Sequence, residues 1–463
     1  MSEISNEQIE KNFAEINPPL SQAEAIFEAN RCLYCYDAPC AHACPTHIDV
    51  SSFIKKIASG NLYGSARVIF DANPIGASCA RVCPVEVLCE GACVEKTLMD
   101  KPIEIGRLQR YATDYAVESG RQIFQKGAPN GKSVGIIGSG PAGLSCATYL
   151  ARLGYDVTVY ERKPLAGGLD TYGMAEYKMP QKTSLDEVRQ VEKLGVKFEL
   201  NSEIAVMTNP PALDSEQKVS LVKVGINADS SDLLTKHDAV FLAVGLGETN
   251  KLNIEGEELD GVMDALAFIE KIKTRDWQSV PLGRTVAVIG AGNTAIDAVT
   301  QAKRLGAQRV FMIYRRTEKD ISAYAYEYEL AKKDGVEFMW ETVPVAIGGD
   351  SRVETLRLQK DGLEFEINCD LVIKAIGQQK QVGFFKSIGI EFDEKQRVAV
   401  NENMQTSNPR IFAGGDCVNG GAEAVDASQM GKLAAQGIHQ TLTGEKVEFA
   451  GTKVSVIEKS HAH

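Results

Sequence analysis

Ser133-Val-Gly-Ile-Ile-Gly138-Ser-Gly140-Pro-Ala-Gly143 reads as a strand that runs into a glycine turn and opens a helix. Gly138 permits the tight turn, Gly140 lets the backbone approach a pyrophosphate, and Gly143 lets helix and strand pack closely. Unpaired N–H groups and the dipole at the helix start favour an anion there. The next strand, Asp156-Val-Thr-Val-Tyr-Glu161, ends in an acid placed to accept hydrogen bonds from a ribose diol. Alone, a GxGxxG is often only a turn; strand, helix and acid in order make it a dinucleotide site.

The pattern returns 152 residues later (290 minus 138), as Thr285-Val-Ala-Val-Ile-Gly290-Ala-Gly292-Asn-Thr-Ala295, and Arg152-Leu153-Gly154 recurs as Arg304-Leu305-Gly306. Two copies of one βαβ unit predict two nucleotide domains. In the second copy Tyr314, Arg315 and Arg316 occupy the place of the ribose-binding acid. Two guanidinium forks suit a 2′-phosphate, a solvated basic strand end is the plainer alternative, and Glu318 and Asp320 work against the phosphate. The motif leans to NADPH over NADH. Two apolar strands ending in glycine, Ala239–Gly245 and Asp370–Gly377, suggest that the chain crosses between domains twice, one inserted in the other. Thr406-Ser-Asn-Pro-Arg-Ile-Phe-Ala-Gly-Gly415-Asp416 then completes the first. Asp416 fits a second flavin-nucleotide contact, with Ala422–Ala427 starting a helix whose positive end faces the flavin.

Upstream, eight of the eleven cysteines fall between Cys32 and Cys93. Cys32, Cys35, Cys40 and Cys44-Pro45 have the C-x2-C-x4-C-x3-C-P form close to the ferredoxin run; Cys79, Cys83-Pro84, Cys89 and Cys93 follow. Zinc also accepts four thiolates, but the Cys-Pro pairs and two nucleotide domains needing redox chemistry favour iron–sulfur clusters. Cys146, Cys369 and Cys417 read as packing residues, and the six histidines form no catalytic constellation. Residues 1 to about 20 read as a loose polar arm, Ser21-Gln-Ala-Glu24 as a helix-opening capping box, and Ser51–Ala58 and Leu62–Phe70 as helices.

A chain of 463 residues, 44% hydrophobic and 24% charged, has room for three globular domains. A formal charge of -12 argues against nucleic acid as partner. No apolar run is long enough for a membrane span and the N-terminus has no export signal, so a cytoplasmic location is expected, with clustered thiols kept reduced.

From Ser21-Gln-Ala-Glu-Ala-Ile through the cysteine block, Ile105-Gly-Arg-Leu-Gln109, both glycine motifs and Phe412-Ala-Gly-Gly-Asp416, the chain resembles the flavin- and nicotinamide-binding half of dihydropyrimidine dehydrogenase. In bacteria that half is a separate electron-input subunit. It is similar, less closely, to the small subunit of glutamate synthase and related transhydrogenase subunits. The resemblance implies two [4Fe-4S] clusters with interleaved ligands: Cys32, Cys35, Cys40 and Cys93 for one; Cys44, Cys83, Cys89 and the amide oxygen of Gln109 for the other, leaving Cys79 free. It implies FAD lined by Gly138, Gly140, Pro141, Ala142, Gly143 and Leu144, by Glu161, Arg162, Gly167, Gly168 and Leu169, and by Leu246, Gly415, Asp416 and Ala424. Lys178, in Tyr177-Lys-Met-Pro180, stands where close relatives carry arginine beside the flavin. Ala291, Gly292, Asn293, Thr294, Arg315, Arg316, Ala375, Ile376 and Gly377 would line NAD(P)H; Ser322 replaces a further arginine of the NADPH-using relative.

The expectation is therefore an α/β protein with two Rossmann-like domains, one inserted in the other, preceded by a helical domain binding two [4Fe-4S] clusters. Its expected domains are 1–130 (iron–sulfur), 131–247 plus 385–463 (FAD) and 248–384 (NAD(P)). It would take hydride from NAD(P)H onto FAD and pass single electrons to an FMN-containing (β/α)8-barrel partner that reduces uracil and thymine to 5,6-dihydropyrimidines. No side chain is assigned as acid–base catalyst. A glutamate synthase large subunit or another acceptor is the alternative partner, and a non-catalytic scaffold or redox sensor with vestigial nucleotide sites is the alternative of another class.

Overall fold

The computed structural model describes residues 4–208, 219–224, 232–275, 277, 280 and 282–451. The chain divides into two compact units. One comprises Asn17–Thr171, Lys182–Leu246 and the chain from Lys380 onward; the other comprises the N-terminal segment through Ile16, Tyr172–Gln181 and Gly247–Gln379.

The larger unit begins with helices. Ser21 and Glu24 form the expected capping box: the Ser21 hydroxyl accepts from Glu24 N–H at 3.3 Å and the Glu24 carboxylate from Ser21 N–H at 2.8 Å. Helices Val50–Ala58 and Leu62–Ala72 are capped by the side chains of Asp49 and Asn61. Val50, Phe53, Ile54 and Ile57 recur at helical spacing on one face, which packs with Ile69, Leu108 and Ala112 into a small core. Cysteine loops fill the gaps between these helices.

Beyond residue 132 the same unit forms a parallel five-stranded sheet, in the order Ile411–Ala413, Ala239–Leu242, Ser133–Ile137, Asp156–Tyr160, Lys197–Glu199. Ala239–Leu242 and Ile411–Ala413 are wholly apolar and buried, as strands covered on both faces are, whereas the edge strand Lys197–Glu199 is polar at both ends. The last strand among the described residues takes the edge, and helix Ala424–Thr443 then lies against helix Pro141–Arg152. Contact is so close that a Cβ on Gly431 would overlap the Ala142 carbonyl oxygen, and the Ser145 hydroxyl donates to the Ser428 carbonyl at 2.7 Å.

The smaller unit repeats the parallel architecture: Glu337–Met339, Arg309–Ile313, Thr285–Ile289, Leu371–Lys374, Val262–Asp264. Here the edge strand precedes the glycine motif in the chain, whereas in the larger unit it follows everything else. An antiparallel sheet of Thr342–Gly348, Thr355–Lys360 and Leu363–Asn368 is attached. The chain thus adopts the expected α/β class, with two Rossmann-like sheets and a helical region ahead of them. The loose arm is corrected: Asn6–Asn12 is a helix capped by the Ser5 hydroxyl, and Ile9 and Phe13, one turn apart, enter the smaller unit's core beside Tyr177. Two apolar residues in a polar stretch are too few to read as an amphipathic helix.

In the larger unit, Glu187 on helix Gln181–Glu192 is buried and accepts from the N–H groups of Ala77 (2.8 Å) and Ser78 (3.0 Å) and from the Ser78 hydroxyl. It thereby anchors helix Gly76–Val82, which carries Cys79. Burial pushes its carboxyl up to about 8 against the pull of these donors. The folded protein therefore holds a proton that the unfolded chain releases near pH 4.5, so stability falls as pH rises from about 5 towards 8, by up to about 1.4 kcal/mol per unit. Glu187→Gln keeps an acceptor for both N–H groups and can donate to the Ser78 hydroxyl. Thermal unfolding at pH 6 and pH 8 should show the wild type losing more between the two than the variant does; equal losses would remove the proton from Glu187.

Candidate functional site

The first glycine turn is built by close backbone approach. Gly138 has φ +98°, and a Cβ on it would overlap the Ala243 carbonyl oxygen; one on Gly143 would overlap that of Gly138. Gly140 caps helix Pro141–Arg152, with Pro141 at the first helical position, so the helix start presents N–H groups with no side chain over them. Gly168 lies across from it: a Cβ there would stand 2.6 Å from the Gly140 Cα. Such a cradle fits the anionic pyrophosphate of a dinucleotide.

Glu161 comes to the same turn. Its carboxylate is buried and accepts from the N–H (3.1 Å) and hydroxyl (2.6 Å) of Ser139 and from Lys163 N–H at 2.8 Å. The Ser139 hydroxyl in turn accepts from Gly167 N–H at 3.0 Å, tying the 167–168 segment to the turn. Arg162 and Leu169 are exposed at its edges. Gly415 reaches the same place: a Cβ on it would lie 3.2 Å from that of Ala142 and 3.8 Å from that of Ala427. Asp416 is pushed up chiefly by burial, and its carboxylate accepts from Ala422 N–H at 3.3 Å. Leu246 lies beside Gly421, and Ala424 opens the long C-terminal helix. The structure thus gathers these residues expected at the flavin into one part of the larger unit, with the exception of Lys178, which belongs to the smaller one. It adds Ser139 and Gln381, whose amide donates to the Val244 carbonyl at 2.9 Å and holds the strand end carrying Leu246.

The second turn stands in the smaller unit. Gly290 has φ +132°, and a Cβ there would overlap the Ala375 carbonyl oxygen. Gly292 caps helix Asn293–Arg304, the Asn293 side chain accepts from Tyr324 N–H at 3.1 Å, and the Gly377 carbonyl accepts from Asn250 N–H at 2.9 Å. Ala291, Thr294, Ala375 and Ile376 border the same turn. Arg315 and Arg316 are exposed just past strand Arg309–Ile313. The two acids that sequence set against them are engaged elsewhere: Glu318 accepts from the Tyr328 hydroxyl at 2.6 Å, and Asp320 from the N–H and hydroxyl of Thr317.

Lys178 belongs to this unit as well. It is held between Asp297 at 2.6 Å and Glu327 at 2.5 Å, and Asp297 also accepts from the Tyr177 hydroxyl at 2.9 Å. Burial pulls the ammonium down, but the two carboxylates outweigh it and raise it. Burial pushes Glu327 up, one cation being shared by two acids. Neither acid is marked by any motif, because each reaches Lys178 only through the fold.

The cysteines separate into two hollows in the larger unit. Cys32, Cys35, Cys40 and Cys93 line one, with Pro39, Ile54 and Ile103. Cys44, Cys79, Cys83, Cys89 and Gln109 line the other, with Pro45, Ile48 and Leu88. Burial and then the neighbouring Cys93 and Cys32 push Cys40 up to about 12, and burial and then Glu90 raise Cys89. Cys40 in one hollow and Cys89 in the other thus resist ionisation unaided, which suits a cationic centre whose charge reverses that resistance. In the second hollow five groups compete. The Gln109 amide nitrogen donates to the Gly76 carbonyl at 2.7 Å, and since a carbonyl can only accept, this bond identifies the nitrogen and leaves the amide oxygen for the hollow. Cys79 sulfur accepts from the Asn73 amide at 3.1 Å, whose oxygen is taken by Ile75 N–H and the Ser428 hydroxyl. The donor sets fit iron–sulfur clusters, and the glycine turns fit dinucleotides.

Comparison with known proteins agrees. Residues 132–431 match the pyridine nucleotide-disulphide oxidoreductase family, and residues 9–121 match dihydropyrimidine dehydrogenase domain II, 4Fe-4S cluster. The chain is 34% identical to the NAD-dependent dihydropyrimidine dehydrogenase subunit PreT of Escherichia coli strain K12, covering 93% of this chain and 97% of that protein. It is 34% identical to the NADPH glutamate synthase small chain of the same organism, covering 92% and 93%. Lactococcus lactis thioredoxin reductase shares the fold of the nucleotide-binding part, with a TM-score of 0.54 at 24% identity over 68% of this chain and all of that one. No helix among the described residues is long and apolar enough to cross a membrane. The chain belongs to the pyridine nucleotide-disulphide oxidoreductase family, among the NAD(P)-dependent flavin/iron–sulfur electron-input subunits related to PreT and to the glutamate synthase small chain.

Proposed function

We propose that this chain is the electron-input subunit of a dihydropyrimidine dehydrogenase. It takes hydride from NAD(P)H, with NADPH favoured over NADH, onto FAD and passes single electrons through two [4Fe-4S] clusters to an FMN-containing (β/α)8-barrel subunit that reduces uracil and thymine to their 5,6-dihydro forms. The separation of the thiols into two hollows carries the reading, because two thiol sets beside a dinucleotide cradle are what a two-electron donor feeding one-electron carriers requires. FAD, when bound, supplies the step from a hydride pair to single electrons.

The chain's own residues bind and orient. In this reading the helix start at Gly140 and the acid Glu161 hold the FAD pyrophosphate and ribose, and Asp416 a second part of the nucleotide. Cys32, Cys35, Cys40 and Cys93 hold one cluster; Cys44, Cys83, Cys89 and Gln109 hold the other, with Cys79 engaged by Asn73. The iron–sulfur, FAD and NAD(P) domains would be 1–130, 131–247 plus 385–463, and 248–384. Exposed apolar side chains among the cysteine loops, Leu33, Tyr36, Val87, Leu98 and Met99, suit burial by a partner that collects the electrons. The surroundings are those of a cytoplasmic complex.

Co-expression with a barrel subunit should give uracil-dependent NADPH oxidation, and a chain that reduces dyes with NADPH but never couples to uracil would end the pyrimidine assignment. Coupling to glutamine-dependent glutamate formation instead would assign it to a glutamate synthase.

Two side-chain tests follow from the geometry. Arg315→Ala with Arg316→Ala removes two charge-assisted donors, so KM for NADPH should rise about tenfold or more while that for NADH moves little; equal effects on both would remove the 2′-phosphate from these arginines. Gln109→Cys replaces a neutral ligand by a thiolate and should lower one cluster's midpoint potential in an EPR-monitored titration. Cys83→Ser should lose about half the iron, by loss of one of two clusters, and Cys79→Ser almost none. Unchanged spectra and potentials in Gln109→Cys would take the amide out of the ligand set.

A further inference from the structure

Lys432, on helix Ala424–Thr443, is 0% exposed. Its ammonium donates to the carbonyl oxygens of Thr46 at 3.1 Å and Ala450 at 2.9 Å and lies 5.9 Å from the Tyr149 ring centre. These segments all belong to the larger unit. The site is sealed by the chain after the helix: the Phe449 ring stands 4.4 Å from that of Tyr149, and Gly451 is pressed so close that a Cβ would overlap the Thr46 carbonyl oxygen.

Buried charges are ordinarily paired. Among the described residues no carboxylate stands within ion-pair distance of Lys432. Asp71, which acts on it at longer range, is bound by Arg152 at 2.6 Å. The other group acting on it is Cys44, two residues before Thr46. Burial draws the ammonium down to about 7 against the opposing pull of Cys44 and Asp71, so without a further negative charge a neutral, apolar side chain would serve this position as well. A [4Fe-4S] centre on three thiolates and an amide has one net negative charge oxidised and two reduced. A fixed cation in a dry interior stabilises the more negative form and raises the potential.

We propose that Lys432 is the built-in counter-charge of the cluster at Cys44, Cys83, Cys89 and Gln109 and sets that cluster's reduction potential apart from its neighbour's. The proposal rests on the ligand set given above. The C-terminal chain around Phe449–Gly451 contributes by excluding water, so that the charge acts at low dielectric.

The experiment is an EPR-monitored redox titration of the full-length holoprotein, purified anaerobically, as wild type, Lys432→Met, Lys432→Gln and Lys432→Arg. Met removes charge and donor; Gln keeps a neutral donor for the two carbonyls; Arg keeps the charge. One midpoint should fall in Met and Gln by at least tenfold in the reduction equilibrium, about 59 mV for one electron, with the other midpoint unmoved and Arg near wild type. Iron lost from Met and Gln but kept in Arg would also support a requirement for the charge. Unmoved midpoints with full iron, equal shifts of both clusters, or iron lost from all three variants would overturn the proposal. The underlying ligand set has its own control: Cys44→Ser with unchanged iron, sulfide and spectra would sink that set, whatever Lys432 does.

Discussion

Backbone touching backbone, with no room for a side chain between, is the constraint on which this chain depends. The Gly143 Cα lies against the carbonyl of Gly138, Gly290 against that of Ala375, and Gly431 against that of Ala142. A helix pushed away from its strand by one methyl group would carry its unpaired N–H groups off the site where an anion is held, so these glycines govern function through packing. The third contact has a second consequence. By letting helix Ala424–Thr443 lie on helix Pro141–Arg152, it brings Gly415 to Ala142 and joins two motifs more than 270 residues apart (415 minus 142) in one cradle.

The second theme is how buried charge is matched. Three ionic groups of the interior are matched in different ways. Lys178 is shared by two carboxylates, an excess of negative charge that raises Glu327. Glu187 meets N–H dipoles and stays protonated through neutrality because burial outweighs their pull. Lys432 meets carbonyl dipoles. Dipoles orient a buried ion but leave its net charge uncompensated, so such a group responds to any charge that arrives nearby, whereas a complete ion pair is already satisfied. The thiol hollows belong to the same class: Cys40 and Cys89 hold their protons until a cation takes their place.

How far the residues announce this structure follows from the range of each constraint. The two strand–glycine–helix–strand repeats are legible because local backbone geometry forces the glycines, and the Ser21–Glu24 box because its two hydrogen bonds span three residues. Glu161 and the glycine turn are legible together, since a regular βαβ unit returns the second strand beside the first. The partners of Lys178 are not, because Glu327 lies 149 residues away and only the smaller unit's packing brings it back. Ile9 and Phe13 give too weak a period to reveal a helix that is held mainly by the core it enters. Cysteine spacing marks iron–sulfur chemistry but not how eight sulfurs divide between two hollows, and the inward-facing oxygen of Gln109 is decided by the Gly76 carbonyl, on a different helix.

The two copies of the nucleotide motif have diverged in a way that fits a resident and an exchanging ligand. Around the first, Glu161 is buried and held by three hydrogen bonds, and the edge of its sheet is closed by the final strand and helix of the chain. A ligand there meets a preorganised acid and segments drawn from both ends of the sequence; such enclosure lowers the ordering cost of binding and slows release. Around the second, the edge strand comes from Val262–Asp264, within the inserted segment itself, and Arg315 and Arg316 project into solvent with their neighbouring acids occupied by Tyr328 and Thr317. Exposed guanidinium groups capture a phosphate quickly and release it readily, because the interaction is screened by water and salt. Enclosure suits a flavin that must remain through every turnover, and exposure suits a nicotinamide that must leave after each one. The duplicated fold supplies both sites, and what distinguishes them is where the surrounding chain closes over the sheet.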